Sequence, residues 1–228
     1  MLLKLKKANL LAIFSAAKGT LFICCMLLFF YWLFLILTNT FLIPSSNFVG
    51  NIPSILRGEL WYIVTGSIYH AELNHLLINI LPIIILGPFI EWKIGSIALV
   101  TSFFVSSWIA TLLFCFVFGG YIQTSFGIGL YVYTFNGASL SVYALFPLVV
   151  LAYLIKKPVF SLISKIVLFG VFWCFIFGII PNASASDVEI MTQIAHLCGV
   201  LAGLLCTFII LILRNWKKIP FFRPKSIN

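Results

Sequence analysis

A serine, an asparagine and three histidines are the residues of this chain whose types and spacing could do chemistry together. His70, His75 and His196 are the only histidines, and His75 lies four residues before Asn79, which puts both on one face of a helix. Ser139 lies at the start of a later apolar run. A hydroxyl, an imidazole that takes its proton and donors that hold an oxyanion are the parts of nucleophilic acyl transfer.

These residues are predicted to lie at a common depth. His75, Ser139 and His196 each precede a charged residue at the far end of their apolar run by 16 to 18 residues, namely Glu91, Lys156 and Arg214. At about 1.5 Å per helical residue this is about 24–27 Å in all three runs. In a hydrocarbon layer about 30 Å thick they share one level, a little below the outer surface.

The composition requires a membrane protein. Of the 228 residues, 63% are hydrophobic and 8% are charged, whereas soluble domains carry about 25% charged residues. This excludes a soluble enzyme, a nucleic-acid-binding domain and a disordered chain. The net charge of +9 comes from basic residues that recur at breaks between apolar runs, as expected when they stay on the cytoplasmic side.

Six apolar runs are long enough to span a bilayer, which needs about 20 residues each. They are predicted at 20–43, 73–91, 94–118, 137–155, 159–180 and 190–213, in an all-α bundle with both termini cytoplasmic. With this topology only Arg57 of the 14 basic residues falls outside. The predicted organisation is therefore a cytoplasmic or interfacial segment 1–19, a membrane domain 20–213 and a basic tail 214–228.

The connections on the outer side are predicted to enclose a cavity. Segment 44–72 is long and includes an amphipathic stretch over 55–68, while segment 119–136 contains four glycines and is predicted to be irregular. Irregular backbone at membrane depth is tolerated only where it is buried in protein or lines a wet cavity.

The polar residues also have structural interpretations. An intramembrane serine can bond to a helix backbone, and a His–Asn pair can hold two helices together. Gly199 and Gly203 form a small-residue face that allows close helix approach under either interpretation. The six cysteines lack metal-ligand or CxxC spacing and are interpreted as small core residues.

Five short motifs follow one another from residue 59 to about 206. They are the segment 59–70 leading into the second span, HxxxxHxxxN over 70–79, GxxxExxxG over 87–95, GxS over 137–139 followed by Tyr143, and AHxxGxxxG over 195–203. In these motifs the chain resembles the rhomboid family of intramembrane serine proteases.

The resemblance implies a role for each residue. Ser139 would be the nucleophile and His196 the general base, in a dyad without a carboxylate, with Tyr143 packed against the His196 ring. The Ser139 backbone N–H, His75 and Asn79 would form the oxyanion hole. The supporting positions would be His70, Gly137, Gly199 and Gly203.

The resemblance also implies the reaction and its setting. The protein would hydrolyse peptide bonds in or near transmembrane segments of single-pass or polytopic membrane proteins. It would need no cofactor or metal. Segment 181–189 would cap the cavity and the fifth span would control lateral access. We expect a multi-pass protein of a bacterial or archaeal cell membrane with its site near the outer face; the oligomeric state is open.

Two departures from the family pattern bear on activity. Leu140 stands where a glycine usually follows the nucleophile, which could narrow the substrate pocket, and Tyr62 replaces an arginine of the first outer loop. A non-proteolytic rhomboid-fold protein that binds transmembrane segments is therefore an alternative. A small transporter is a weaker one, because the inner halves of the second, fourth and sixth spans are almost wholly apolar. The only aspartate, Asp187, lies in an outer loop, which excludes an aspartyl dyad.

Overall fold

A computed structural model of the chain describes residues 17–127, 129, 131, 133–155, 162–180 and 184–216. The predicted N-terminal segment up to residue 16 and the tail from residue 217 lie outside the described residues. Within them the chain is all-helical. The α-helices are α1 Lys18–Asn39, α2 Ile52–Leu56, α3 Trp61–Ile68, α4 Leu73–Ile94, α5 Ser96–Leu113, α6 Gly119–Phe126, α7 Ser139–Ile155, α8 Leu162–Phe177 and α9 Asp187–Trp216.

The helices form a membrane bundle. Over the described residues, four helical stretches are long and apolar enough to cross a bilayer, namely Lys18–Asn39, Leu73–Ile94, Ser96–Ser125 and Asp187–Arg214. Helix α7 is apolar but shorter, and α8 lies in the fifth predicted span. Large apolar side chains such as Phe29, Leu81 and Phe208 are exposed on the outside of the bundle, as a lipid-facing surface requires. The all-α prediction is confirmed, whereas six spans and cytoplasmic termini stay predictions.

The prediction of irregular backbone from residue 119 onwards is wrong for its first part. Helix α5 continues through a π-helical turn, Phe114–Phe118, into α6. Gly119 does not break the helix, because its missing side chain serves packing: a Cβ there would lie 3.2 Å from Ile52 of α2. The helix ends only at Gly127, which has the left-handed conformation common at helix ends.

Two further details differ from the sequence-based expectations. The amphipathic stretch over 55–68 is divided into α2 and α3, separated by Gly58 at a φ of +90°. Cys25 and Cys174 are exposed, so they are not core residues as predicted, whereas Cys24, Cys115, Cys198 and Cys206 are buried.

Helix α7 is the centre of the bundle and packs against α4, α5 and α9. Ala144, Leu145, Leu148 and Ala152 are all fully buried, because a helix that is apolar on every side is stable only when it is surrounded. Its closest neighbour is α9: a Cβ on Gly203 would lie 2.6 Å from the Ala144 carbonyl oxygen. Glycine at this position is what allows the two backbones to come so near.

The buried carboxylate of Glu91 joins three helices at the end of the bundle that lies away from the histidines. Glu91, which is 3% exposed, accepts hydrogen bonds from the Gly19 N–H at 2.6 Å, from the Thr20 N–H and hydroxyl at 2.9 Å, and from the Ser96 hydroxyl at 2.6 Å. It thereby caps the first turn of α1, where backbone N–H groups have no partner within the helix. Gly87 leaves room for Thr20 beside it. The GxxxExxxG motif thus joins α1, α4 and α5.

Glu91→Gln should destabilise the protein strongly. A side-chain amide has one acceptor oxygen where the carboxylate has two, so part of the network is lost and donors such as the Gly19 N–H are left unpaired. We expect a loss of about 3 kcal/mol, since hydrogen bonds to charged groups contribute about 1.5–3 kcal/mol each. Thermal unfolding in mild detergent measures this. Glu59→Gln, which removes a surface ion pair with Arg57, is the control and should leave the unfolding temperature nearly unchanged; an equal effect of both changes would contradict the prediction.

Candidate active site

Ser139 is presented by a tight turn at the start of α7. Gly137 has a φ of +91° and donates its N–H to the Gly66 carbonyl at 2.9 Å. The Ala138 carbonyl accepts the first helical hydrogen bond of α7, from the Val142 N–H at 3.0 Å. The N–H of Ser139 therefore belongs to the first turn, which has no acceptors within the helix and lies at the positive end of the helix dipole. A negatively charged oxygen beside Ser139 would be stabilised there.

His75 packs directly onto this turn. A Cβ on Gly137 would lie 2.5 Å from His75 Cε1 and 2.8 Å from Nε2. Glycine at position 137 is therefore required twice, for its backbone conformation and for the space that the imidazole fills. The HxxxxHxxxN and GxS motifs meet at this contact.

His70 and Asn79 support the same turn from behind. His70 Nδ1 lies 3.1 Å from the Ile68 carbonyl oxygen. Because a carbonyl oxygen can only accept a hydrogen bond, Nδ1 carries the proton. His70 Nε2 then accepts from Asn79 Nδ2 at 3.1 Å and from the Ala138 N–H at 3.2 Å. Burial, followed by the charge of His75, lowers the pKa of His70 to about 4. His70 is thus neutral at physiological pH and can hold this network.

His196 lies against Tyr143 in a stacked arrangement. The ring centroids are 3.9 Å apart and the planes differ by 13°. His196 Nδ1 lies 2.9 Å from the Gly178 carbonyl oxygen. Because a carbonyl has no proton to give, Nδ1 must be protonated, and Nε2 of the neutral ring is left with the lone pair. Gly199 allows this placement, since a Cβ there would lie 2.6 Å from the Leu140 carbonyl oxygen of α7.

The predicted residues line one open cleft of about 450 Å³. Its walls combine polar groups with apolar side chains of α4, α7, α8 and α9. The lining residues are His75, Ile78, Asn79, Pro82, Tyr133, Thr134, Asn136, Ser139, Val142, Tyr143, Cys174, Phe175, Val188, Thr192 and His196. A ligand in this cleft would therefore meet both hydrogen-bonding groups and apolar side chains.

The structure therefore brings together Ser139, His196, Tyr143, His75 and Asn79. His70 is buried behind the cleft, where it holds the turn before Ser139. Gly199 and Gly203 lie at the interface of α7 with α9.

Sequence reasoning missed two parts of the site. The first part consists of the polar residues Thr134, Asn136 and Thr192, which line the cleft. In the sequence, only the polar composition of their segments could have indicated this position. The Gly178 carbonyl, which contacts His196 Nδ1, has no signal in the sequence, because every residue has a carbonyl.

Asn79→Ala should lower kcat by about 10²-fold, because a misplacement of about 1 Å at a reacting group can cost that much. Besides lining the cleft, Asn79 donates to His70 Nε2 and to the His75 carbonyl at 3.1 Å. Removing the amide therefore loosens the His70 contact with the Ala138 N–H, which holds the turn before Ser139. Steady-state cleavage of a transmembrane reporter would measure this, with Thr124→Ala, at an exposed position of α6, as the control. An unchanged kcat would exclude Asn79 from the site.

Comparison with known proteins identifies the family. The model of the family described as the rhomboid domain matches residues 57–213, which is more than half of the chain and includes every residue of the site described above. Among curated proteins, none matches the chain.

Proposed function

The chain belongs to the rhomboid family, and from this premise we propose that it is an intramembrane serine protease. It hydrolyses peptide bonds in or near transmembrane segments of other membrane proteins, with Ser139 as nucleophile and His196 as base. The family, whose members are typically intramembrane proteases, and the all-helical membrane fold support this assignment. Its cleft faces the outer side of the membrane.

The observation that most strongly supports the proposal is the tautomer of His196, which has its proton on Nδ1. With Nδ1–H donated to the Gly178 carbonyl, Nε2 is the basic nitrogen, in the same cleft as the Ser139 hydroxyl. A base must have a free lone pair within reach of the proton that it removes. A histidine that only joined two helices would have no need for such a cleft.

Acylation follows from these placements. His196 Nε2 takes the proton of the Ser139 hydroxyl while Oγ attacks the carbonyl carbon of the scissile bond. The resulting oxyanion is held by the Ser139 N–H at the positive end of α7 and by His75. Asn79 reaches it only by exchanging its hydrogen bond to the His75 carbonyl for one to the oxyanion. The imidazolium then gives its proton to the leaving amine nitrogen, the C–N bond breaks, and an ester on Ser139 remains.

Deacylation repeats the same steps with water as the nucleophile. His196 Nε2 takes a proton from water as its oxygen attacks the ester carbon. The same donors hold the second oxyanion, and the proton returns to Ser139 Oγ as the ester bond breaks. Water reaches the cleft because it is open and lined in part by polar side chains. In this proposal α8 controls lateral access, while the capping segment 181–189 lies partly outside the described residues.

A fluorophosphonate reagent tests the proposal, because it labels only an activated serine. Membranes containing wild-type protein should be labelled, and His196→Ala should lose the labelling. A reporter with a transmembrane segment should be cleaved by the wild type alone. Failure of both labelling and cleavage by folded wild-type protein would instead support the non-proteolytic binding protein.

Leu140 should restrict which peptides are cleaved. Its side chain is 5% exposed and borders a cavity of only about 10 Å³ behind Ser139, next to Gly66, Ser67 and Ser107. Leu140→Ala should enlarge this space and raise the relative cleavage of reporters with leucine rather than alanine before the scissile bond. The change should also cost about 3 kcal/mol of stability, as is usual for a buried leucine. An unchanged preference would show that the substrate does not reach this cavity.

A further inference from the structure

Gly178 directly follows α8, and its backbone carbonyl contacts His196. Its N–H bonds back to the Cys174 carbonyl at 3.1 Å, so the backbone still follows the helix. The last carbonyls of a helix have no donor within it and carry its partial negative charge. The Gly178 carbonyl accepts the His196 Nδ1–H at 2.9 Å across 18 residues of sequence.

The approach is possible only because position 178 has no side chain. A Cβ there would overlap the Tyr143 hydroxyl oxygen and would lie 2.7 Å from Tyr143 Cζ. The end of α8 thus closes against the edge of the stacked Tyr143 and His196 rings. By contrast, a Cβ on Gly170, two turns earlier in α8, would meet nothing within 4 Å.

We propose that Gly178 is a positioning residue for His196, and that its carbonyl does the work that a carboxylate does in a Ser-His-Asp triad. In such triads the third group fixes the tautomer and orientation of the imidazole and stabilises the imidazolium. The carbonyl at the negative end of α8 does the same here. This inference rests on the proposed function, because it assigns His196 as the base.

The helix that carries the acceptor differs from those that carry the dyad. Ser139 is on α7 and His196 on α9, whereas Gly178 directly follows the last residue of α8. The base is therefore oriented only while the end of α8 lies against Tyr143. Separation of α8 from this position would remove the Nδ1 acceptor, so the placement of α8 and the reactivity of Ser139 are coupled.

Gly178→Ala tests this role, with Gly170→Ala as the matched control in the same helix. The added methyl group must displace either the carbonyl or the Tyr143 ring. We expect the rate of labelling by a small fluorophosphonate to fall by about 10²-fold, because a misplacement of about 1 Å at a reacting group can cost that much. Gly170→Ala should react like the wild type. Gly178→Ala/Tyr143→Phe, which removes the hydroxyl, should react faster than Gly178→Ala alone.

¹⁵N NMR of labelled histidine provides a readout that a merely structural role would not change. In the wild type the His196 signal, assigned by its loss in His196→Gln, should show a protonated Nδ1 and an unprotonated Nε2. Gly178→Ala should show a mixture of the two tautomers, and Gly170→Ala should not.

Each outcome decides the proposal. Wild-type labelling rate and an unchanged tautomer in Gly178→Ala would overturn it. A normal labelling rate with reduced cleavage of the transmembrane reporter would also overturn it, because Gly178 would then act on substrate access. If Gly178→Ala does not fold, the wild-type spectrum decides, and an unprotonated Nδ1 overturns the proposal. Absence of both labelling and cleavage in the wild type would refute the proposed function, while the tautomer still tests the placement of His196.

Discussion

Ser139→Ala should abolish cleavage of a transmembrane reporter and leave the protein folded. Alanine keeps the backbone N–H at the start of α7 and the hydrogen bonds of the preceding turn, so only the nucleophile is lost. We expect the rate to fall by at least about 10⁴-fold, as when the nucleophile of a serine protease is removed. Product formation on a gel measures the loss, and circular dichroism in detergent measures the fold.

Ser141→Ala is the matched control for this experiment. Ser141 is two residues further along α7 and 1% exposed, and its Oγ has no hydrogen-bond partner among the described residues. Removing a buried hydroxyl that is unpaired should leave stability equal or slightly higher, with activity unchanged. Activity near the wild-type level in Ser139→Ala would refute the dyad, and equal losses in both variants would point to a general disturbance of α7.

Gly137→Ala should cause the largest loss of activity among the changes that leave both Ser139 and His196 in place. A left-handed backbone costs about 1–3 kcal/mol for a residue with a side chain, and the new methyl group would overlap the His75 ring. The turn and the imidazole must therefore move apart, which misplaces Ser139 relative to both the base and the oxyanion donors. We expect kcat/KM to fall by about 10²–10³-fold, measured with the same reporter.

Gly58→Ala separates the two causes. Gly58 has a φ of +90°, close to that of Gly137, but a Cβ there would meet nothing within 4 Å. This variant carries the backbone cost without the contact to His75. It should lower the unfolding temperature slightly and leave kcat/KM unchanged. If Gly58→Ala lost as much activity as Gly137→Ala, backbone strain alone would account for both effects and the contact with His75 would be unimportant.

The sequence by itself determined the class of protein and predicted candidate site residues that line one cleft in the structure. The low content of charged residues requires a membrane environment, and this follows from composition without knowledge of the fold. His75 and Asn79 share a helix face because four residues make about one turn. The ordered motifs around Ser139 and His196 indicated the family, which the comparison confirms. These features depend on the identities of side chains and on their spacing within one helix.

Other features were decided only by the tertiary structure. Residues 119–126 are helical despite two glycines, because packing of Gly119 on Ile52 outweighs its weak helix propensity. Asn79 bonds to His70, and His70 bonds to the Ala138 N–H, 68 residues away. The His196 partner is the backbone carbonyl of Gly178. Backbone groups are the same in every residue, so no pattern of side chains reveals which of them will meet; only the packing of α7, α8 and α9 selects that carbonyl.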